Sequence, residues 1–220
     1  MRTAAIVPVK DFEQAKQRLA PAIQQGHRRA LVEAMLADAM IALRRTKAID
    51  DVFVVTGDRA AGRIATGDGA EVVEDTGHNH SEAAALGIAH ATAVGATRVL
   101  LVPGDCPLID PAQLDALLER PSSGRSALII PDRHGDGTNG LLLSPPDALT
   151  PSFGDGSRQR HVDLAIAQGA APEVLEVSSL GLDIDTPEDL QELINLLGAT
   201  RGGAAYTRGF LNQLLRTQAG

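Results

Sequence analysis

An α/β fold with a mostly parallel sheet is predicted by three features of the sequence. The run Val99-Leu100-Leu101-Val102 is continuously apolar and stops at Pro103-Gly104, as expected of a central strand buried on both faces. Other short aliphatic runs alternate with Ala-rich stretches of helical spacing. Apolar residues make up 44% of the chain, yet there are one Tyr, four Phe and no Trp, so the core must be built from Ala, Val, Leu and Ile. A chain of 220 residues supports one sizeable core. The expected organisation is one domain over 1–200 and a C-terminal helical extension over 201–220.

Thr3 to Val9 reads as the first strand, and Lys10 lies where the chain leaves it. Lys16 and Arg18 follow within a polar stretch. Cations just beyond a first parallel strand suit phosphate binding, because side chains and backbone amides converge there. Each alone also reads as a solvated surface residue, so the cluster carries the reading. Neither a P-loop nor a dinucleotide glycine fingerprint is present.

Residues 27–45 carry apolar positions at helical spacing, and 51–56 form a second strand. A short helix is expected over 59–65 and a third strand over 70–74. The polar loop 75–81 follows, then an Ala-rich helix over 82–94 with Ser81 as its cap. His78 and His80 lack a nearby third ligand at zinc spacing and read as loop residues. The amide of Asn79 can both donate and accept toward a nucleobase or ribose.

The central strand delivers Asp105 at its carboxyl end, where open α/β sheets place their ligands. Asp105 lies too early to cap the helix expected over 111–119. After a turn at 121–124 and a strand over 126–131, the loop 132–140 carries three glycines among polar residues. Such a loop permits close approach to a ligand, and a hairpin turn would use the same residues. Residues 152–157 look like an anion-binding turn, with Ser157 opening a helix; a simple N-cap is the alternative. No carboxylate is placed to orient His161, so a hydrolase triad is not expected.

A strand is expected over 173–177. If 182–185 is extended, Asp183 and Asp185 share a face and could complete a divalent-metal site with Asp105, since hard cations prefer oxygen. Thr186 could also cap a helix that starts at Pro187, and both jobs can be done at once. A last helix over 206–215 reads as a peripheral or subunit-contact element.

The net charge of −8 argues against nucleic acid as a partner. No run is long enough to span a membrane, and the opening residues lead straight into a strand pattern without a targeting segment. The single Cys106 excludes an internal disulfide. A cytoplasmic protein is expected.

The ordered set 7–10, 15–19, Gly104-Asp105-Cys106-Pro107-Leu108, Gly137-Thr138-Asn139, Phe153-Gly154-Asp155-Gly156-Ser157 and Asp183-Ile184-Asp185-Thr186-Pro187 resembles the 2-phospho-L-lactate and phosphoenolpyruvate guanylyltransferases of coenzyme F-420 biosynthesis. The resemblance runs over about 3–198. It departs from the family at Gln17, where a small hydroxyl residue is usual, and at His78, which replaces an apolar residue. It implies a Rossmann-like three-layer sandwich, similar in fold to the nucleotide-diphosphosugar transferases, that transfers GMP from GTP to a three-carbon phosphoacid with magnesium. It also implies that Asp105, Asp183 and Asp185 bind metal, and that Thr138, Gly154 and Ser157 bind the acceptor. Lys10, Lys16 and Arg18 would face the triphosphate, and Asn79 and Ser81 would lie near the guanosine. Under the same resemblance the Ala-, Gly- and Arg-rich composition favours phosphoenolpyruvate over 2-phospho-L-lactate. A downstream F-420 pathway enzyme and a second copy of the chain are the expected protein partners. Cytidylyl- or sugar-nucleotide transfer on the same fold, or nucleotide binding without turnover, are the alternatives.

Overall fold

The computed structural model describes residues 1–121 and 124–218, so half of the expected turn at 121–124 and the last two residues lie outside it. Among the described residues seven strands form one sheet in the order β3-β2-β1-β4-β6-β5-β7. They are β1 (Thr3–Pro8), β2 (Asp51–Thr56), β3 (Glu71–Glu74), β4 (Arg98–Leu101), β5 (Ser126–Pro131), β6 (Thr138–Ser144) and β7 (Ala171–Val174). The apolar run around Leu100 is the central strand, as expected. All neighbours pair in parallel except at β6, which runs against both β4 and β5. The loop 132–137 is therefore a hairpin, and it also approaches a cavity described below.

The helices are α1 (Gln25–Arg45), α2 (Arg59–Gly67), α3 (His80–Ala93), α4 (Pro111–Leu118), α5 (Ser157–Ala167), α6 (Pro187–Ala199) and α7 (Ala205–Gln218). Alternation along the strands sorts the sheet into two apolar faces. Ala5, Val7, Val54, Leu100, Leu128 and Leu142 face the layer containing α1, α2, α4, α6 and α7. Ala4, Ile6, Phe53, Leu101, Ile129 and Leu141 face α3 and α5. Gly87 of α3 lets that helix lie close on the sheet: a Cβ there would stand 2.4 Å from Cγ2 of Ile6.

Three expectations shift. The strand expected over 173–177 begins earlier, at Ala171, because Pro172 is tolerated on this edge strand. The cap of α3 is Asn79, whose carboxamide oxygen accepts from Glu82 N at 3.0 Å, and not Ser81. The last helix is not peripheral. Leu211 and Leu214 are buried in the core, and the buried Asp38 carboxylate of α1 receives the Tyr206 and Thr207 amides at 3.1 and 2.8 Å. Among the described residues no helix is long and apolar enough to cross a membrane.

Candidate active site

The carboxyl ends of β1 and β4 open into a cavity of about 520 Å³ lined by Lys10, Lys16, Leu36, Asn79, His80, Asp105 and Asp185, among others. A second cavity, of about 400 Å³, lies beside the hairpin and the start of α5. Its walls include Arg18, Asp132, Thr138, Asn139, Gly154, Ser157 and Asp183. His80, Pro103, Asp105 and Asp185 line both, so the two cavities meet at this pair of carboxylates.

Lys16 stands at the junction. Its backbone is left-handed, with φ 57° and ψ 40°, at the start of the 3-10 turn Gln17–Leu19. That conformation costs about 1–2 kcal/mol for a residue with a Cβ. It aims the side chain inward, where the ammonium donates to Asp105 Oδ2 and, at 2.6 Å, to Asp185 Oδ1. Burial disfavours the charge, but the two carboxylates outweigh it and raise the lysine pKa. Lys10 donates to Asp75 Oδ2 at 2.6 Å and to the Gly77 carbonyl at 3.3 Å.

The carboxylates are under-compensated. Asp105 Oδ1 is buried with no hydrogen-bond partner among the described residues. Burial and the nearby charge of Asp105 push the Asp183 pKa up to about 6, against an opposing hydrogen bond from Asn139 Nδ2 at 3.1 Å. Among the described residues no group of three His, Cys, Asp or Glu side chains is closed around a common point. Lys16 bridges two of the three expected metal ligands. The remaining acceptors are hard oxygens facing an anionic cleft, the donor set a magnesium ion prefers.

The second cavity is organised by hydrogen bonds from a distance. Asp132 Oδ1 accepts from the His134 and Asp136 amides, both at 3.1 Å, and Asp132 Oδ2 from the Gly137 amide, also at 3.1 Å. A Cβ on Gly137 would stand 2.6 Å from Asp132 Oδ2 and would push that carboxylate off the amides it holds. Asp136 ties the hairpin to α5, its carboxylate receiving Gly156 N at 2.8 Å and its carbonyl receiving Arg158 N at 3.0 Å. Those amides, expected to be free for an anion, are therefore engaged. Gly156 occupies the cap position and Ser157 is buried as the first helical residue, so its side chain is not the N-cap. Gly154 lies at φ 112°, a conformation open to glycine.

Asp189 fixes the loop that carries Asp183 and Asp185. It completes a capping box with Thr186, accepts from Asp185 N at 3.1 Å, and pairs with Arg133 at 2.6 Å. Cys106, next to Asp105 in the chain, is fully buried with its thiol pKa pushed up by burial, which suits packing and not nucleophilic attack.

Of the residues expected to face a triphosphate, Lys10 and Lys16 line the first cavity, whereas Arg18 lines the second. Asn79 reaches the first cavity's rim, but its amide is engaged with Glu82. Ser81 lines neither cavity. Its hydroxyl accepts from Phe153 N at 2.9 Å and so ties α3 to the second cavity's wall. Thr138, Gly154 and Ser157 line the second cavity together. Sequence reasoning assigned no role to Asn139, Asp189 or His80; Asn139 and His80 act through partners distant in the chain, whereas the capping box of Asp189 with Thr186 is local. His80 packs edge-on against Phe153 at 4.9 Å. The adjacency of Asn139 to Thr138 was the available signal for the first of these.

The family described as "Guanylyl transferase CofC like" matches residues 3–217, thus running through α7. A phosphoenolpyruvate guanylyltransferase of Conexibacter woesei is 53% identical over 219 residues, covering 99% of this chain and 98% of that protein. A 2-phospho-L-lactate guanylyltransferase of Methanothermobacter thermautotrophicus is 34% identical over 214 residues, covering 97% and 92%. Among solved structures, a protein of Desulfovibrio desulfuricans G20 provisionally assigned as a nucleotide-diphospho-sugar transferase has a TM-score of 0.73. At 18% identity over 97% of this chain and 95% of that one, this is a likeness of fold. The α/β sandwich expected from the sequence is the one observed.

Proposed function

Because the chain belongs to the CofC-like guanylyl transferase family, we propose that it transfers GMP from GTP to phosphoenolpyruvate, forming enolpyruvyl-diphosphoguanosine and pyrophosphate in coenzyme F-420 biosynthesis. The observation that carries this reading is the meeting of two cavities at Asp105 and Asp185, one rimmed by lysines and one by Thr138, Gly154 and Ser157. Such an arrangement suits two anionic substrates that react where the cavities join.

In this reading the triphosphate enters beside Lys10 and Lys16, and the phosphoacid sits against Arg18, Thr138, Gly154 and Ser157. An oxygen of the acceptor phosphate attacks the α-phosphorus in line, and the bond to the departing pyrophosphate breaks on the opposite side. The acceptor phosphate is ionised near neutral pH and needs no strong base, so the residues act by positioning and charge neutralisation. Lys16 neutralises charge at the junction, and Arg18 does so on the acceptor. The unpartnered Asp105 oxygen and the raised Asp183 pKa support a cation site on Asp105, Asp183 and Asp185. Magnesium held there would supply further neutralisation of the triphosphate.

A second reading takes 2-phospho-L-lactate as acceptor, favoured by the Methanothermobacter thermautotrophicus relative with that name. The deciding assay measures pyrophosphate release from each nucleoside triphosphate paired with either phosphoacid, coupled to the enzyme that consumes the product. Pyrophosphate from GTP and phosphoenolpyruvate, abolished by EDTA and restored by magnesium, is the expected result. Release only with 2-phospho-L-lactate would select the second reading, and release only with CTP would reject guanylyl transfer. Binding of GTP without release under any pairing would leave a nucleotide-binding subunit.

A further inference from the structure

His161 is fully buried on α5, between the two walls of the second cavity. Its Nε2 lies 2.9 Å from the Ser152 backbone nitrogen, and its Nδ1 lies 3.0 Å from Thr138 Oγ1. A backbone N–H can only donate, so Nε2 must accept. Burial, reinforced by the charge of Arg160, pulls the imidazole pKa down to about 4, so the ring is neutral near pH 7. A neutral ring that accepts at Nε2 carries its proton on Nδ1. The Nδ1–H therefore donates to Thr138 Oγ1, and the threonine keeps its own hydroxyl hydrogen for another partner. His161 is the side-chain partner the structure gives this hydroxyl, and Thr138 lines the cavity.

The same ring fixes the opposite wall. Ser152 N is held by Nε2, while the Arg160 guanidinium, one residue away, binds the carbonyls of Ser152, Phe153 and Asp155 at 3.1, 3.3 and 3.0 Å. Phe153 packs edge-on against His161 at 5.1 Å and carries the chain into Gly154. One buried imidazole thus sets both the direction of a hydroxyl on β6 and the position of the 152–154 segment.

We propose that His161 is a positioning residue for the phosphoacid, locking the Thr138 hydroxyl as a hydrogen donor into the second cavity. The ligand atom that meets this hydroxyl must then accept a hydrogen bond, as a phosphate or carboxylate oxygen does. The chain of donation from His161 to Thr138 to ligand polarises each member and strengthens the last bond. This inference rests on the acceptor assignment of the second cavity, and its first test does not depend on that assignment.

The first measurement is the imidazole tautomer in the wild-type protein, read from long-range ¹⁵N–¹H correlations of uniformly labelled enzyme at pH 7. The Nδ1–H form is expected; the Nε2–H form would overturn the proposal. The second compares two variants that each preserve one half of the ring's bonding. In His161→Asn the amide nitrogen replaces Nδ1 and still donates to Thr138; in His161→Gln the amide oxygen replaces Nε2 and still accepts from Ser152. The Gln variant is expected to raise the KM for phosphoenolpyruvate about tenfold, the size of one lost hydrogen bond. The Asn variant, in which Arg160 still holds the carbonyls of Ser152, Phe153 and Asp155, should stay within about twofold, with the KM for GTP unchanged in both. Equal acceptor KM values in the two variants would overturn the positioning role. Wild-type enzyme that releases no pyrophosphate would reject the proposed function instead, and the tautomer would still decide the state of the His161–Thr138 pair.

Discussion

The two cavities are built by different means. The first is rimmed by the ends of parallel strands, and its lysines are held by ion pairs: Lys10 to Asp75, and Lys16 to Asp105 and Asp185. Under the proposed function a polyphosphate would compete directly for those ammonium groups, and the lysines would exchange partners on binding. The second cavity is braced from behind. Asp132, Asp136, His161 and Asp189 each hold a backbone amide of a segment that lines it or carries one of its residues. Its shape exists before a ligand arrives, so little ordering cost falls on binding. The first side is thus electrostatic and exchangeable, and the second is geometric and pre-set.

The junction itself offers the largest test. Asp105→Asn removes charge where both cavities meet and is expected to lower turnover on the order of 10³-fold while leaving the thermal midpoint within a few degrees. Unchanged turnover would detach the carboxylates from the chemistry. Lys16→Met should act on the nucleotide side alone, lowering turnover about 10²-fold without altering the acceptor KM. An equal rise in acceptor KM would show that the two sides are not separable.

Acidification gives a smaller effect with a defined sign. A metal ligand must be ionised, and Asp183 in the free protein holds its proton up to about pH 6 because of burial and the charge of Asp105. Magnesium affinity, measured by calorimetry, should therefore fall about tenfold per pH unit below that point and level off above it. A flat profile to pH 5 would remove Asp183 from the ligand set. Smallest is Thr138→Val, expected to raise the acceptor KM about fivefold to tenfold with the GTP KM unchanged, as steady-state kinetics with each substrate varied will show.

Much of the first cavity was legible in the sequence because it is local. An aliphatic run announces a buried strand, and the first acidic residue past Pro103-Gly104 lands at the sheet's ligand-binding rim. Lys10 and Lys16 follow a recognisable first strand in the same way. The second side was less legible. Leu141-Leu142-Leu143 reveals a buried strand but not its direction, since an apolar run is the same in either sense. Asn79 and Ser81 are both good helix caps, and only the local backbone decides between residues two positions apart. Arg18 lines the second cavity because the 3-10 turn at Gln17–Leu19 rotates it away from Lys16. The bonds of Asp189 to Thr186 and Asp185 are local, but its pairing with Arg133, more than fifty residues earlier, is announced by no pattern in either stretch.

The reversal of β6 bears on how such an enzyme diversifies. Because the strand returns beside β5 through a hairpin, the connection at 132–137 lies outside the crossover units and is tied to their helices through Asp136 at α5 and Arg133 at α6. A change of length there that keeps Asp136 and Arg133 would resize the rim of the second cavity while the first stays fixed, and under the proposed function selectivity among small acids becomes a matter of loop length and two or three side chains.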